Sequence, residues 1–479
     1  MFKPAGDWQM HITALFISRL QFAFTISFHI IFPSFTIGLA AWLCVLEARF
    51  LMTHRLVYRR LFDFWLRVFA IAFGLGVVSG IVMAFEFGTN WSVLSRMSGS
   101  IQGPLLSYES FTAFALEASF FGVLMFGRDR IAPKFYFIAT LMVACGTTLS
   151  AFWIMVNNTW MQVPVGYQLV NGVFEPTDWG KIIFSPVVWV RFPHVLLASY
   201  LTGAFCVAAT GAWYRLRGIH HEDARVMLRM GLVLAAILIP VQIFFGHLNG
   251  DYVHQYQPAK FAAIEARWHN EKPAAEVLIA IPDQKNETNR YQLAIPVLGS
   301  LIATMRPDSE EVGLTSFAPA NRPPVSVPFF AFRIMVACGL WMMAVAWLGC
   351  LFLWRRHETL SRLFLRLTFA TFPLPFVATL TGWFTAEVGR QPWVVYGVLR
   401  TSEALTPSLG LGEAVSTLLL FCAIYLTIFI AGTYYIYRLL RKGPDISSGE
   451  IGTHGNPQRP LAFVHGGVDD SSTVDSTGR

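Results

Sequence analysis

Long apolar stretches alternate with short polar segments along most of this chain. Nine of the stretches supply the roughly 20 apolar residues that a helix needs to cross the hydrocarbon core of a bilayer. We expect spanning helices near residues 15–47, 61–85, 108–127, 133–156, 187–214, 227–247, 328–354, 368–388 and 413–440. The pattern therefore predicts an all-α polytopic membrane protein with about nine transmembrane helices.

One polar, proline-containing segment, residues 249–327, separates the sixth predicted helix from the seventh. Because it is too weakly apolar to span a membrane, we expect a single long loop there. The chain then divides into helices one to six (1–248), the loop, helices seven to nine (328–442) and a tail (443–479). The tail is rich in Gly, Ser and Asp, which predicts disordered polypeptide.

Basic residues predict how the helices are oriented. They concentrate in alternate loops, and by the positive-inside rule those loops face the cytoplasm. The amino terminus and the long loop are then outside, and the tail is cytoplasmic. The first apolar run is too long for the apolar core of a signal peptide, so we expect it to be helix one. The basic residues of these loops are Arg49, Arg55, Arg59, Arg60, Arg128, Arg130, Lys134, Arg215, Arg217, Arg225, Arg229, Arg355, Arg356, Arg362, Arg366, Arg438, Arg441 and Lys442.

Composition agrees with a membrane protein. Hydrophobic residues make up 54% of the 479 and charged residues only 14%, with a mean hydropathy of +0.51. The formal net charge is +7, but topology explains the basic loops better than nucleic-acid binding does.

Few ionisable side chains lie inside the predicted helices. Each costs at least a few kcal/mol at membrane depth, so each is a candidate functional group. A lone histidine there can instead be a hydrogen-bonded packing residue, and a buried glutamate can cap a helix or pair with an arginine. The candidates are His29, Glu109, Glu117, His194 and Glu387.

His194 and Met335 lie at matching depths of roughly 10 Å below the outer surface, given 1.5 Å per residue. One histidine and one methionine are the ligands of a six-coordinate electron-transfer haem, in which methionine raises the iron potential. A methionine near a helix end is more often packing. The conjunction of these residues favours haem.

Glu109 and Glu117 are eight residues apart, which places them about 12 Å along and roughly 80° around an α-helix. They can be successive stations of a proton path, because a buried carboxyl can take up and pass on a proton near neutral pH. The alternative is a pair of structural carboxylates bonded to neighbouring helices.

Several segments of the sequence are distinctive. GWFTAEVGRQPW at 382–393 is highly specific, and FRIMV at 332–336 includes Met335. The others are SRLQFAFTISFHIIFP at 18–33, YESFTAFALEASFFG at 108–122, RFPHVLLASYLTGAF at 191–205 and PAKFAAIEARW at 258–268. In these segments, and over nearly its whole length, the sequence resembles subunit I of the cytochrome bd quinol oxidases, with the methionine in its expected place.

The resemblance implies three haems. His194 and Met335 would bind a low-spin haem b that accepts electrons from quinol. His29 and Glu387 would be axial ligands of the other two haems. One of these is a high-spin haem b, and the other is haem d or a third haem b. The resemblance leaves open which ligand belongs to which haem. The remaining family positions near the haems are Arg19, Arg333, Trp383 and Arg390.

The resemblance also assigns the outward loop to quinol binding. Lys260 and Glu265 match a functional pair, which offers a donor and an acceptor suited to a quinol hydroxyl. They are five residues apart, about 140° around a helix, and ordinary surface residues are the alternative. The loop is short, as in the branch often called cyanide-insensitive.

The predicted activity is that of the haem subunit of a quinol:oxygen oxidoreductase in a bacterial inner membrane. Quinol is oxidised at the outer face, and oxygen is reduced to water with cytoplasmic protons that enter through Glu109 and Glu117. This builds membrane potential without pumping. The resemblance implies a second membrane subunit and commonly a small single-helix subunit.

Two other classes of protein compete with this prediction. In a proton-coupled transporter, Glu109, Glu117 and Glu387 would carry protons, but no inverted repeat is evident in the sequence. A haem b membrane anchor of a dehydrogenase would leave His29 and Glu387 unexplained. Haem content distinguishes the transporter from the oxidase.

Overall fold

The computed structural model describes residues 13–355 and 360–445, apart from the side chain of Phe114. Within these ranges nine helical segments are long and apolar enough to cross a membrane, which confirms the predicted fold class. A π-helical turn, Ala113–Ala118, joins α3 to α4. In chain order the helices are α1 (Ala14–Thr53), α2 (Leu56–Thr89), α3 (Ser92–Thr112), α4 (Ser119–Phe126), α5 (Pro133–Gln162), α6 (Trp179–Ile183), α7 (Val188–Arg217), α8 (His221–Tyr256), α9 (Pro258–Ile264), α10 (Leu298–Thr304), α11 (Ser326–Trp354), α12 (Arg362–Ala370), α13 (Leu374–Val388) and α14 (Leu411–Lys442).

Three antiparallel hairpins complete the described secondary structure. The first lies between α6 and α5, and the second makes up part of the long segment between α8 and α11. The third follows α13. Their strands are β1 (Tyr167–Val170), β2 (Val173–Pro176), β3 (Glu276–Asp283), β4 (Thr288–Ile295), β5 (Trp393–Val395) and β6 (Leu399–Arg400).

The third and eighth spans differ from the predicted boundaries. The third begins at Ser92 instead of residue 108, because the polar, Ser- and Gly-rich stretch before Tyr108 hides helical structure from a hydropathy pattern. The eighth is two helices, α12 and α13, separated at residues 371–373. Pro373 and Pro375 lie at this break, and proline lacks the N–H that an unbroken helix needs.

The long loop begins later than predicted, because α8 continues to Tyr256. The following segment is structured: it contains α9, the β3–β4 hairpin and α10 before α11 begins at Ser326. A buried apolar cluster that includes Trp268 and Phe329 joins it to α11. The predicted tail falls largely outside the described residues, as does Arg356.

The centre of the bundle is formed by α1 and α7, which approach each other closely. A Cβ at Gly38 would lie 2.2 Å from the backbone oxygen of Ser199, and one at Gly203 would lie 2.8 Å from the Gly38 backbone. Glycine is required at both positions because any side chain would separate the helices. The contact fixes the frame on which α2, α5 and α8 pack.

Candidate functional site

His29 lies midway along α1 and faces α2. Its Nδ1 is 3.0 Å from the Ser79 hydroxyl. A Cβ at Gly80 would lie 3.0 Å from the imidazole Cε1, so glycine leaves space where the ring reaches α2.

His194 and Met335 are each bordered by a glycine of a neighbouring helix. A Cβ at Gly246 of α8 would lie 3.4 Å from His194 Cε1, and one at Gly382 of α13 would lie 2.9 Å from the Met335 sulfur. His194 Nε2 is 3.4 Å from the Gln242 amide nitrogen. Helix α8 packs against both α7 and α11.

The four predicted iron ligands are compatible with a large flat prosthetic group. His29, His194, Met335 and Glu387 stay partly exposed although they lie in spanning helices, and His194 Nδ1 has no hydrogen-bond partner. Imidazole and thioether groups are donors that haem iron accepts. The residues therefore fit haem, and the pairing of His194 with Met335 on one iron stays a prediction.

Glu387 is held by a buried polar network at the end of α13. Arg390 donates to its Oε2 at 2.5 Å, and the side-chain amides of Asn158 and Gln162 donate to its Oε1 at 3.0 and 3.1 Å. Arg191 in turn donates to Asn158 Oδ1 at 2.6 Å. The alternative pairing of Glu387 with Arg390 is thus present, within a larger cluster.

The network carries more positive than negative charge. Arg191 and Arg390 are buried cations there, and Glu387 is their acidic neighbour. Arg390 Nε and Nη1 have no partner. Because buried cations need anionic or hydrogen-bonding partners, these donors fit an anionic group such as a haem propionate; the position of Arg390 near a haem stays a prediction.

Lys260 is fully buried in α9, unlike an ordinary loop lysine. Its Nζ donates to Gln162 Oε1 at 3.1 Å and to Gln257 Oε1 at 3.0 Å. Burial, reinforced by the positive charge of Arg191, lowers the pKa of Lys260 well below its usual value. The lowered pKa favours the neutral amine of Lys260 more than in an exposed lysine.

Glu265 forms a second cluster with Arg333 of α11 and Glu276 of β3. The Arg333 Nη2 lies 3.2 Å from Glu265 and 3.7 Å from Glu276. Arg333 also donates to the backbone oxygens of Ile264 and Val277. Burial, and then the charge of Glu265, raise the pKa of Glu276 to about 8. These contacts tie Arg333 to the loop; its predicted role at a haem stays a prediction.

Lys260 and Glu265 do not form one direct pair. The lysine joins the Gln162 network, whereas the glutamate joins the Arg333 cluster. Both are buried, which excludes the alternative that they are ordinary exposed residues. Residues 258–265 thus contribute to two separate polar clusters.

Glu117 lies in the π-helical turn, and Glu109 lies in the α-helix before it. Glu117 is buried, and its Oε1 has no partner. A Cβ at Gly146 of α5 would lie 2.8 Å from Glu117 Cγ. The predicted angle of 80° assumed an unbroken α-helix, and the wider π-turn changes the rotation between the two carboxyls.

The other two predicted residues border these sites. Trp383 lies one helical turn before Glu387 on α13. Arg19 is exposed and lines a cavity of about 390 Å³ together with Arg322 and Gln391. Among the described hydrogen bonds, none joins either residue to a predicted iron ligand.

Four residues of these clusters were missed by the sequence analysis. Arg191 lies inside a predicted span, where its charge was a usable signal. Asn158 and Gln162 follow the predicted end of the fourth helix, and Glu276 is a single acid in a strand. An uncharged amide, or a single acidic residue in a loop, does not stand out in the sequence as a charge inside a membrane span does.

Comparisons with known proteins show the family of the chain. The family model of cytochrome bd terminal oxidase subunit I matches residues 17–444. Cytochrome bd ubiquinol oxidase subunit 1 of Bacillus subtilis (strain 168) is 32% identical, over 91% of this chain and 95% of its own length. Cytochrome bd-II ubiquinol oxidase subunit 1 of Escherichia coli (strain K12) is 31% identical, over 91% and 98%. The solved bd oxidase of Geobacillus thermodenitrificans has a TM-score of 0.83 at 30% identity, covering 90% of this chain and 99% of that one. The chain belongs to the cytochrome bd terminal oxidase subunit I family.

Proposed function

We propose that this chain is the catalytic haem subunit of a terminal oxidase that oxidises quinol at the outer membrane face and reduces oxygen to water. The supporting observation is the buried network in which Lys260 and Glu387 share Gln162. It joins the predicted quinol segment to a predicted iron ligand through one side chain.

At the quinol end, the Lys260 amine, whose pKa is lowered by burial, is suited to exchange a proton with a quinol hydroxyl. Glu265 and Glu276, both beside Arg333, offer a second acceptor, because burial and the charge of Glu265 raise the pKa of Glu276 to about 8. Protons taken up by these groups leave toward the outer face. Ubiquinol and menaquinol would suit these roles equally, since both present hydroxyl groups.

Bound haem would supply the one-electron carriers and the oxygen-binding iron. His194 and Met335 would hold the low-spin haem b, and His29 and Glu387 the two remaining haems, of which one is haem d or a third haem b. Helix α13 borders both regions, since Gly382 faces Met335 and Glu387 follows about 7.5 Å along the axis. Trp383 lies between them in sequence.

Protons for oxygen reduction would enter from the cytoplasm through Glu109 and Glu117. The unpartnered oxygen of Glu117 can accept a proton and return it after a small rotation. Since protons are consumed on one side and released on the other, turnover builds membrane potential without a pump.

The orientation proposed here has the amino terminus outside and residue 442 in the cytoplasm of a bacterial inner membrane. A second membrane subunit, and a small single-helix subunit, would complete the oxidase. The short segment between α8 and α11 favours the cyanide-insensitive branch of the family.

The decisive experiment combines a reduced-minus-oxidised spectrum with quinol-dependent oxygen uptake by the purified complex. In Met335→Leu we expect the low-spin haem signal and oxygen uptake to be lost, since leucine cannot bind iron but conserves volume. Met342→Leu is the matched control, because Met342 is buried in the apolar core of the same helix and should leave both signals unchanged.

Two results would contradict the proposal. Haem-loaded complex without quinol-dependent oxygen uptake would indicate a membrane anchor, and complex without haem would indicate a transporter. An unchanged low-spin spectrum in Met335→Leu would remove that residue from the ligand set.

A further inference from the structure

A buried polar seam runs between α1 and α2 from their outer ends to His29. On α1, Ser18, Gln21, Thr25 and His29 are spaced by three, four and four residues, so they share one face. The facing side of α2 carries Ser79, Glu86 and the cap residue Asn90. All except His29 are almost completely buried.

Hydrogen bonds join α1 to α2 at each end of this seam. Asn90 donates to the Ser18 hydroxyl at 3.1 Å, and at the other end Ser79 lies 3.0 Å from His29. Helix α14 closes the third side: Thr417 donates to Gln21 at 3.0 Å, and Tyr425 donates to the Ser79 backbone oxygen at 3.0 Å.

Glu86 lies in the middle of the seam, and neither of its carboxyl oxygens has a hydrogen-bond partner. Gln21 and Thr25 of α1 are its polar neighbours. No ion pair joins it to a cation in the described part of the chain. With only the neutral donors of Gln21 and Thr25 nearby, a carboxylate is poorly stabilised at such a place, whereas the neutral acid is tolerated.

The titratable group that faces Glu86 from another helix is Tyr425 of α14. Charged groups near the outer ends of the surrounding helices are engaged or exposed elsewhere. Arg19 of α1 lines the outer cavity, Glu413 of α14 caps Gly410, and Arg96 of α3 is exposed. Glu86 is thus isolated from fixed charge and sensitive to a change of charge at His29.

We propose that Glu86 is a redox-linked proton acceptor for the iron centre held by His29. The inference rests on the proposed function, which supplies quinol as reductant and oxygen as oxidant. When the centre is reduced, Glu86 takes up a proton from water in part of the molecules, because the extra negative charge raises the proton affinity of its carboxyl. When the electron passes to oxygen, the carboxyl returns that proton to water.

The distance between Glu86 and His29 determines how strongly protonation of Glu86 depends on the charge of the centre. Ser79, beside His29, and Glu86 are seven residues apart, about 10 Å along α2. At this separation one unit of charge changes the proton affinity of the carboxyl by about tenfold, for an effective dielectric constant of about 20.

The test is a redox titration of the purified, haem-loaded complex at several pH values, with His29→Ala used to identify the absorption band of that centre. In the wild type, the midpoint potential should fall as pH rises, by about 59 mV in total for a tenfold coupling. Glu86→Gln should remove this component, whereas Glu86→Asp should retain it. The matched control is Glu413→Gln, which removes an exposed acid and should leave the dependence unchanged.

A second measurement does not depend on turnover. The reduced-minus-oxidised infrared spectrum should contain the C=O band of a protonated carboxylic acid, and Glu86→Gln should lose it. Haem-loaded Glu86→Gln with wild-type pH dependence and an unchanged band would overturn this inference alone. If no haem signal responds to His29→Ala, the proposed role of His29 fails as well.

Discussion

At the scale of single residues, Glu276 sets a pH response. Its pKa is raised to about 8 by burial and by Glu265, from an ordinary value of 4.5. At a pH between these two pKa values, Glu276 is protonated in the folded chain and ionised in the unfolded chain. The contribution of Glu276 to the stability of the folded chain is therefore complete below pH 4.5 and is lost as pH rises through about 8. Limited proteolysis of residues 257–325 should therefore accelerate as pH rises toward about 8, and less so in Glu276→Gln.

The control for this prediction is Glu310→Gln, which removes an exposed carboxyl from the same segment. It should reproduce the wild-type pH dependence. If Glu276→Gln also kept that dependence, another group would have to be responsible.

Residues inside predicted spans could be chosen from the sequence because charge at membrane depth is costly. Glu117 and Glu387 were found in this way, and both are buried or bound in clusters. Glu86 was missed because it follows the predicted end of the second helix by one residue. Gln162 was missed because an amide carries no charge, and its importance comes from contacts between distant segments.

At the scale of elements, the π-turn at residues 113–118 is packed against a glycine. A Cβ at Gly146 would meet Glu117 Cγ at 2.8 Å and Leu116 Cβ at 3.0 Å. Gly146→Ala should therefore displace Glu117 and slow oxygen reduction by about tenfold to a hundredfold, since small misplacements at reacting groups are costly. Steady-state oxygen uptake at saturating quinol measures this effect.

Gly122→Ala is the matched control, because a Cβ at Gly122 of α4 meets nothing within 4 Å. In a helix, alanine is more stable than glycine by up to about 1 kcal/mol where its methyl group has space. The Gly122→Ala variant should therefore keep wild-type turnover. Equal turnover in Gly146→Ala and Gly122→Ala would argue against a role for the position of Glu117.

Helix number and order could be predicted because spanning segments are recognised by length and hydropathy alone. The local geometry of the helices could not be predicted in this way. The π-turn and the break between α12 and α13 depend on how each backbone packs against its neighbours, although Pro373 was a usable signal for the break. The end of α8 at Tyr256 was hidden because its last turns are polar.

At the scale of the whole molecule, one network joins the segment outside the bundle to the bundle itself. Gln162 ends α5, contacts Lys260 and Gln257 near α9, and donates to Glu387 of α13. The two predicted sites are far apart in sequence and meet at this residue. A substitution of Gln162 should therefore affect both sites. If the two sites were independent, a single substitution would affect only one of them.

Gln162→Leu tests this connection. Leucine leaves Lys260 without one acceptor and Glu387 without one donor, and both groups stay buried. We expect quinol oxidation to slow by about tenfold or more and the spectrum of the Glu387 centre to shift in the same variant. Gln168→Leu, at an exposed position of β1, should change neither. If the spectrum shifted while quinol oxidation stayed at the wild-type rate, Gln162 would serve Glu387 alone and the two sites would not be coupled through it.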